Sequence, residues 1–359
     1  NSLNSINKYS KHKANLINVF GEWDNYKESL NLEKILIYNF KTLQFLKYWN
    51  KVGFLKSRLS YLLIFLFSFF PLLNLIKKQK PDFLIVHLIS SLPLTIFYLF
   101  NFRTKLILHL AGHPKLNFFR KTIWKFSSKK IFKVICPSEE LKQVLLENNI
   151  FNEEQIKVIE DPHFNINKVN RLKKQELNDI FFNESKILIT IGRMTRQKNY
   201  SFLIKNFKKL TNKYKDIKLV IIGNGEEKDN LKSLIKELEI SEKVKLIDFD
   251  LNIYKYLKKS NYFISTSIWE GSSLAMTDAA YMGIPILCSD CPSGRKEFIG
   301  NNERGFLYKQ NNDEDFLKSF TDMYFLSPSE ITKLIIKAKK QTKKFTLFRS
   351  FLKFQEILN

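Results

Sequence analysis

One stretch constrains the fold more than any other: Tyr262 to Cys288, YFISTSIWEGSSLAMTDAAYMGIPILC. A β-rich run ends at Trp269-Glu270-Gly271-Ser272-Ser273. The spacing then predicts a helix over about Leu274–Met282, stopped by Gly283, with Pro285 opening a second short strand. Strand, helix and strand in this order require a parallel sheet covered by helices.

The same alternation runs through the chain. Strands are expected at Phe83–His87, Lys105–Leu110, Ile131–Ile135 and Ile156–Ile159, then at Lys186–Ile191, Leu219–Ile222 and Val244–Ile247. Helical segments lie between them, one of them capped by Ser138. A chain of 359 residues suffices for two such domains. The expected division is an α/β domain over 1–162, a polar, basic linker with a short helix over 163–185, a second doubly wound domain over 186–335, and a basic helical tail over 336–359. Upstream, a strand at Ala14–Phe20, a turn at Gly21–Asn25, a strand or helix start at Leu32–Ile37 and a helix at Phe40–Trp49 are expected. The chain opens with neither Met nor a strand and Gly-rich turn, so its natural start is expected to be missing.

Ser60–Ile76 is nearly free of charge and approaches the length of a membrane span. Pro71 and Asn74 interrupt it; Lys56 and Arg58 precede it, and Lys77, Lys78 and Lys80 follow. A helix packed wholly or half against a sheet is the preferred reading. A helix embedded in a membrane surface comes second and a true span third.

The charge balance is +24, from 59 Lys and Arg against 35 Asp and Glu. It favours an anionic partner: nucleic acid, lipid or a phosphorylated substrate. Lys, Asn, Ile and Phe are abundant throughout, so general bias accounts for part of it. No module that reads RNA or DNA is visible. Cys136, Cys288 and Cys291 form neither a metal array nor a disulfide framework, and a reduced, cytosolic setting fits them.

Candidate chemistry collects after strands. Glu270 stands at a strand end, Gly271, Ser272 and Ser273 offer N–H groups and hydroxyls at a helix start, and Asp278 lies within that helix. Exposed N–H groups and the positive end of the helix dipole suit a phosphate, and carboxylates accept hydrogen bonds from sugar hydroxyls. Gly192, Arg193 and Lys198 form a second loop after a strand, suited to clamping a diphosphate. Gly223-Asn224-Gly225 reads as a tight turn or as a close approach to a ligand. His87, His109, His113 and His163 show no metal-binding spacing. Each is either a structural histidine or, for His109 and His113, a group near a reacting centre.

Taken together, Gly192-Arg193-x4-Lys198, Gly223-x-Gly225, Glu270-Gly271-x6-Asp278-Ala279, Gly283-x-Pro285, Ser289-Asp290-Cys291-Pro292-Ser293-Gly294-x2-Glu297 and Gly305-Phe306-Leu307 resemble the retaining glycosyltransferases of family 4. The likeness is strong over about 186–325, looser over 80–160 and poor over 1–79. It implies the GT-B fold: two facing doubly wound Rossmann-like domains with an interdomain cleft. It also implies transfer from a nucleotide sugar, UDP-linked, to a lipid-linked or cell-surface glycan, with no metal required. By that likeness Arg193 and Lys198 hold the diphosphate, beside Gly192 and Gly223. Glu270 contacts the donor sugar, Gly271, Ser272, Ser273 and Leu274 line the phosphate site, and Asp278 takes the ribose hydroxyls where the family usually has Glu. The active-site histidine is His109 or His113. The implied setting is peripheral, on the cytoplasmic face of the inner membrane, with an anionic membrane surface as partner, in lipopolysaccharide or other polysaccharide biosynthesis. The competing expectations are another GT-B enzyme, an epimerase or phosphorylase, and a noncatalytic nucleotide-sugar-binding protein. Sugar, linkage and oligomeric state stay open.

Overall fold

The computed structural model describes residues 2–19, 35–40, 54–87, 90–114, 116–183, 185–292 and 294–359. The expected turn at 21–25, most of the expected helix at 40–49, and Ser293 lie outside them. The chain divides into two compact units. Unit one comprises Asn1–Pro137, Lys142–Pro162 and Leu347–Asn359; unit two comprises Ser138–Leu141 and His163–Thr346.

Unit one begins with α1 (Ser2–Tyr9), followed by β1 (Leu16–Asn18) and β2 (Ile37–Asn39), which pair in parallel. There follow α2 (Phe54–Gln79), β3 (Phe83–Val86), α3 (Ser91–Leu99), β4 (Lys105–His109), α4 (Phe118–Ser127), β5 (Ile131–Cys136), α5 (Glu139–Glu147) and β6 (Ile156–Val158). The last four strands form a parallel sheet in the order β3-β4-β5-β6. Val134, Ile135 and Cys136 are fully buried in succession. Such continuous burial marks a strand covered on both faces, and explains why these runs do not alternate with polar residues.

The apolar stretch around Ser60–Ile76 is one helix, α2, with Pro71 inside it. Ile64, Ser68, Leu72 and Ile76, four apart, are buried, whereas Leu62, Leu66 and Phe70, also four apart, are exposed. The helix is therefore half packed and presents an apolar face outward, Phe70 being 68% exposed. By length and composition it is the one helix among the described residues able to cross a membrane.

Unit two contains α6 (Ile166–Leu172), β7 (Lys186–Ile191), α7 (Tyr200–Lys213), β8 (Ile217–Ile222), α8 (Lys228–Glu237), β9 (Val244–Ile247), α9 (Tyr254–Lys258), β10 (Tyr262–Ser265), α10 (Leu274–Met282), β11 (Ile286–Asp290), α11 (Arg295–Ile299), β12 (Phe306–Lys309), α12 (Asp313–Tyr324) and α13 (Pro328–Gln341). The final helix, α14 (Leu347–Leu358), belongs to unit one. All six strands are parallel, in the order β12-β11-β10-β7-β8-β9. Helices cover both faces. Leu188, Leu219 and Ile221 pack with Phe207, Phe316 and Phe320 on one side; Ile187, Ile189 and Val220 pack with Ala279, Ile286 and Phe298 on the other.

The strand order reverses direction between β7 and β10. At such a switch point the loops after the two strands diverge and leave a crevice at the carboxyl edge of the sheet. The loops so placed are Gly192–Asn199 and Thr266–Ser273, the two that the sequence marks for chemistry. Gly283 ends α10 at φ +79°, a left-handed conformation that glycine takes without strain, and its N–H closes the helix.

Candidate functional site

The β7 loop is built by close backbone approach. Gly192 N donates to the Ile222 carbonyl and Met194 N to the Asn224 carbonyl, both at 2.9 Å. A Cβ at Gly223 would lie 2.0 Å from the Gly192 carbonyl oxygen, and one at Gly225 would lie 2.2 Å from that of Met194. Gly223-x-Gly225 therefore seats one loop on another. At Gly192 a Cβ would meet Lys198 Cε at 2.7 Å, so glycine leaves room for the lysine side chain to lie back across the strand end.

The β10 loop is stitched to it. Ile268 N donates to the Gln197 carbonyl at 2.8 Å, Gln197 Nε2 to the Trp269 carbonyl at 2.8 Å, and Thr266 Oγ1 to the Lys198 carbonyl at 2.8 Å. These bonds bring Lys198 Nζ within 2.6 Å of Glu270 Oε1. The same oxygen accepts from Ser267 Oγ at 2.6 Å and faces Arg295 Nη2 at 3.4 Å. Burial pushes the Glu270 carboxyl upward. The Lys198 and Arg295 charges, with the Lys198 and Ser267 hydrogen bonds, outweigh it and hold the group below its ordinary value.

Arg295 is the residue that sequence reasoning missed. Its side chain is 1% exposed. Nε donates to Ser273 Oγ at 3.0 Å, Nη1 to the Ser289 carbonyl at 3.1 Å and hydroxyl at 2.8 Å, and Nη2 to Ser265 Oγ at 2.6 Å, besides the Glu270 contact. A guanidinium carries five N–H donors, and here each has an acceptor. The signal in sequence was indirect: Ser265, Ser267 and Ser289 are hydroxyls in otherwise apolar strand ends, and need a buried partner.

Engaging Ser273 has a consequence. Ser273 is the N-cap of α10, yet its side chain makes no capping bond to the helix. Its hydroxyl faces Arg295, so the first-turn amides of α10 are left without that side-chain acceptor. Gly271 and Ser272 are half-buried beside it, and Leu274 is exposed. Arg193 is also exposed, at the start of the β7 loop.

Asp278 is 2% exposed. Oδ1 accepts from Tyr254 OH and Oδ2 pairs with His163 Nε2, both at 2.7 Å. The carboxylate thus addresses two protein groups instead of open space. The backbone at His163 is fixed in turn: its main-chain N–H donates to the Phe345 carbonyl at 2.8 Å. Cys288 and Cys291 are buried and not joined in a disulfide, and burial pushes the Cys288 thiol up to about 12, so it stays protonated at pH 7.

In unit one the two candidate histidines differ. His109 ends β4, is 3% exposed, and lies with Nδ1 2.6 Å from His87 Nδ1 and Nε2 3.6 Å from Asp161 Oδ1. Burial pushes it down to about 4, so it is neutral at pH 7. His113 is half-buried in the loop that follows. Among the described residues no group of three His, Cys, Asp or Glu side chains could hold a metal ion.

Two Rossmann-like units, one with a basic, carboxylate-bearing switch point, define a GT-B glycosyltransferase. Residues 173–341 match the family of glycosyl transferases group 1, and that match together with the relatives below makes the chain a glycosyltransferase. It is 29% identical over 306 residues to an uncharacterized glycosyltransferase of Methanocaldococcus jannaschii, covering 80% of this chain and 71% of that one. It is 27% identical over 233 residues to the Campylobacter jejuni N-acetylgalactosamine-N,N'-diacetylbacillosaminyl-diphospho-undecaprenol 4-alpha-N-acetylgalactosaminyltransferase, covering 63% of this chain and 62% of that one. A solved glycosyltransferase from Rickettsia africae superposes with a TM-score of 0.76 at 21% identity, covering 100% of this chain and 94% of that one. Anabaena HepE, solved with UDP, gives 0.70 at 15% identity, covering 97% and 99%.

Proposed function

We propose that this glycosyltransferase moves a hexosyl or N-acetylhexosaminyl group from a UDP-sugar to a lipid-linked or cell-surface glycan, with retention at the anomeric carbon. The observation that carries the reading is the Lys198–Glu270–Arg295 cluster at the β7/β10 switch point, beside a helix start whose N-cap hydroxyl is engaged elsewhere. The diphosphate would take the first-turn amides of α10 and draw Lys198 away from Glu270, with Arg193 closing from the exposed side. Glu270, released from Lys198 but still held by Arg295 and Ser267, would accept from the donor-sugar hydroxyls. Gly192 would leave room for Lys198 to move toward the diphosphate, and Gly223 would hold the β7 loop against its neighbour beside the ligand. Asp278 would act on the ribose through His163, whose ring it orients. His113, half-buried in the loop after β4 where His109 is fully buried, would face the acceptor.

In this reading the acceptor hydroxyl attacks the anomeric carbon from the face the diphosphate leaves. The bond to the diphosphate oxygen breaks and the hydroxyl proton passes to that oxygen. Lys198 and Arg193 neutralise the developing charge. The UDP complex of the similar HepE and the diphospho-undecaprenol acceptor named for the Campylobacter relative support the choice of donor and acceptor class. The exposed apolar face of α2, followed by Lys77 and Lys78, supports work at the cytoplasmic surface of an anionic membrane.

The test is UDP release by the full chain with extracted lipid-linked acceptors. Release dependent on acceptor is expected, with kcat/KM lowered about 10²–10³-fold by Lys198→Ala while the fold is kept. Interconversion of the free nucleotide sugar, or binding without turnover, would overturn the proposal.

A further inference from the structure

The outward face of α4 is aromatic. Phe118, Phe119 and Phe126 are 78%, 75% and 72% exposed, and Ile123 is 47% exposed. Trp124, 4% exposed, and buried Ser127 fasten the opposite side of the helix to unit one, and the Trp124 ring lies 5.9 Å from that of Phe151. The helix is held in register by a cap: the Asn117 side chain accepts from Arg120 N at 3.0 Å. The phenyl rings are therefore presented by a docked, capped helix, and hydrophobic burial is what such a face lacks.

The surrounding charge is one-sided. Arg120 and Lys125 flank the rings, and Lys129 and Lys130 follow, all exposed. In sequence, Asp82 is the only acidic residue between Glu33 and Glu139. A protein partner for so basic a rim would have to supply matched acids around an apolar centre. An anionic bilayer supplies both at once, with acyl chains for the rings and headgroups for the cations.

We propose that α4 is a second membrane-docking element, lying flat in the interface of an anionic bilayer with Phe118, Phe119 and Phe126 inserted. The inference shares with the reading of α2 the choice of a bilayer as partner, and is independent of the donor site. The partition of the full chain onto vesicles containing phosphatidylglycerol, and onto neutral phosphatidylcholine vesicles, tests it. Phe118→Ser/Phe119→Ser/Phe126→Ser is expected to weaken binding to the anionic vesicles at least about tenfold. Arg120→Glu/Lys125→Glu is expected to weaken it several-fold and to flatten its salt dependence. Trp at position 119 (Phe119→Trp) is expected to be quenched by brominated lipid. The control is Leu62→Ser/Leu66→Ser/Phe70→Ser on α2. If that variant loses binding while the α4 variants bind like the parent, the α4 proposal falls and the α2 reading stands. If the α4 variants change sedimentation of the free protein but not vesicle binding, the face joins copies of the chain and the proposal is also overturned.

Discussion

Replacing Arg295 with Met removes the charge that organises the candidate donor site. Five acceptors lose one donor each: the Ser265, Ser273 and Ser289 hydroxyls, the Ser289 carbonyl and the Glu270 carboxylate, which keeps Lys198 and Ser267. Removing one member of a buried charge pair costs about 3–5 kcal/mol, and the separate bonds do not add beyond that because they share one group. For a unit of this size the melting temperature should fall by roughly 6–20 °C. The carboxyl of Glu270 also loses one of the cations that hold its pKa down, so its pKa rises. A carboxyl with a depressed folded pKa contributes stability that is present above the unfolded value and lost as pH falls through the folded one. In Arg295→Met that loss, and the acid limb of kcat/KM, should move to higher pH. Arg295→Lys keeps the charge with fewer donors, so it should melt between the two while holding the acid limb near that of the parent. Thermal unfolding and UDP-release rates across pH read both effects. A melting temperature for Arg295→Met within a degree or two of the parent, or an acid limb that does not separate Met from Lys, refutes the reasoning.

Gly223→Ala places a Cβ against the Gly192 carbonyl oxygen, a backbone atom that cannot swing aside. It should cost more than about 2 kcal/mol by chemical denaturation and lower donor affinity together with stability; a neutral effect would mean that the two loops do not rest on each other. His109 is neutral and buried with a pKa of about 4, while the unfolded chain takes up its proton near 6.5. The unfolded state therefore binds more protons between those values, and unit one should lose roughly 3 kcal/mol of stability as pH drops from about 7 to about 4. His109→Gln should flatten that slope, and denaturation followed at several pH values checks it.

The alternation of strands and helices was legible along the chain because parallel strands buried on both faces and amphipathic helices leave different local periods. The expected strands recur as β3 to β11 wherever the pattern was strong, and Gly283 stops α10 for a reason contained in one residue. The loops that carry Lys198 and Glu270 were also legible, since each follows a strand and has its own glycine. What those residues touch was not. Lys198 meets Glu270 across 72 positions, a distance that closes because β7 and β10 are neighbours in a sheet whose order reverses there, and His163 meets Asp278 across 115. Nothing in the sequence marked Arg295 directly, and only the convergence of Ser265, Ser273, Ser289 and Glu270 makes it a buried hub. For the apolar stretch of α2 the pattern allowed burial, surface insertion or a span, because a helix apolar on all sides carries no period to tell one face from another. The tertiary structure chose a half-packed helix by offering a partner to Ile64, Ser68, Leu72 and Ile76 and none to Leu62, Leu66 and Phe70.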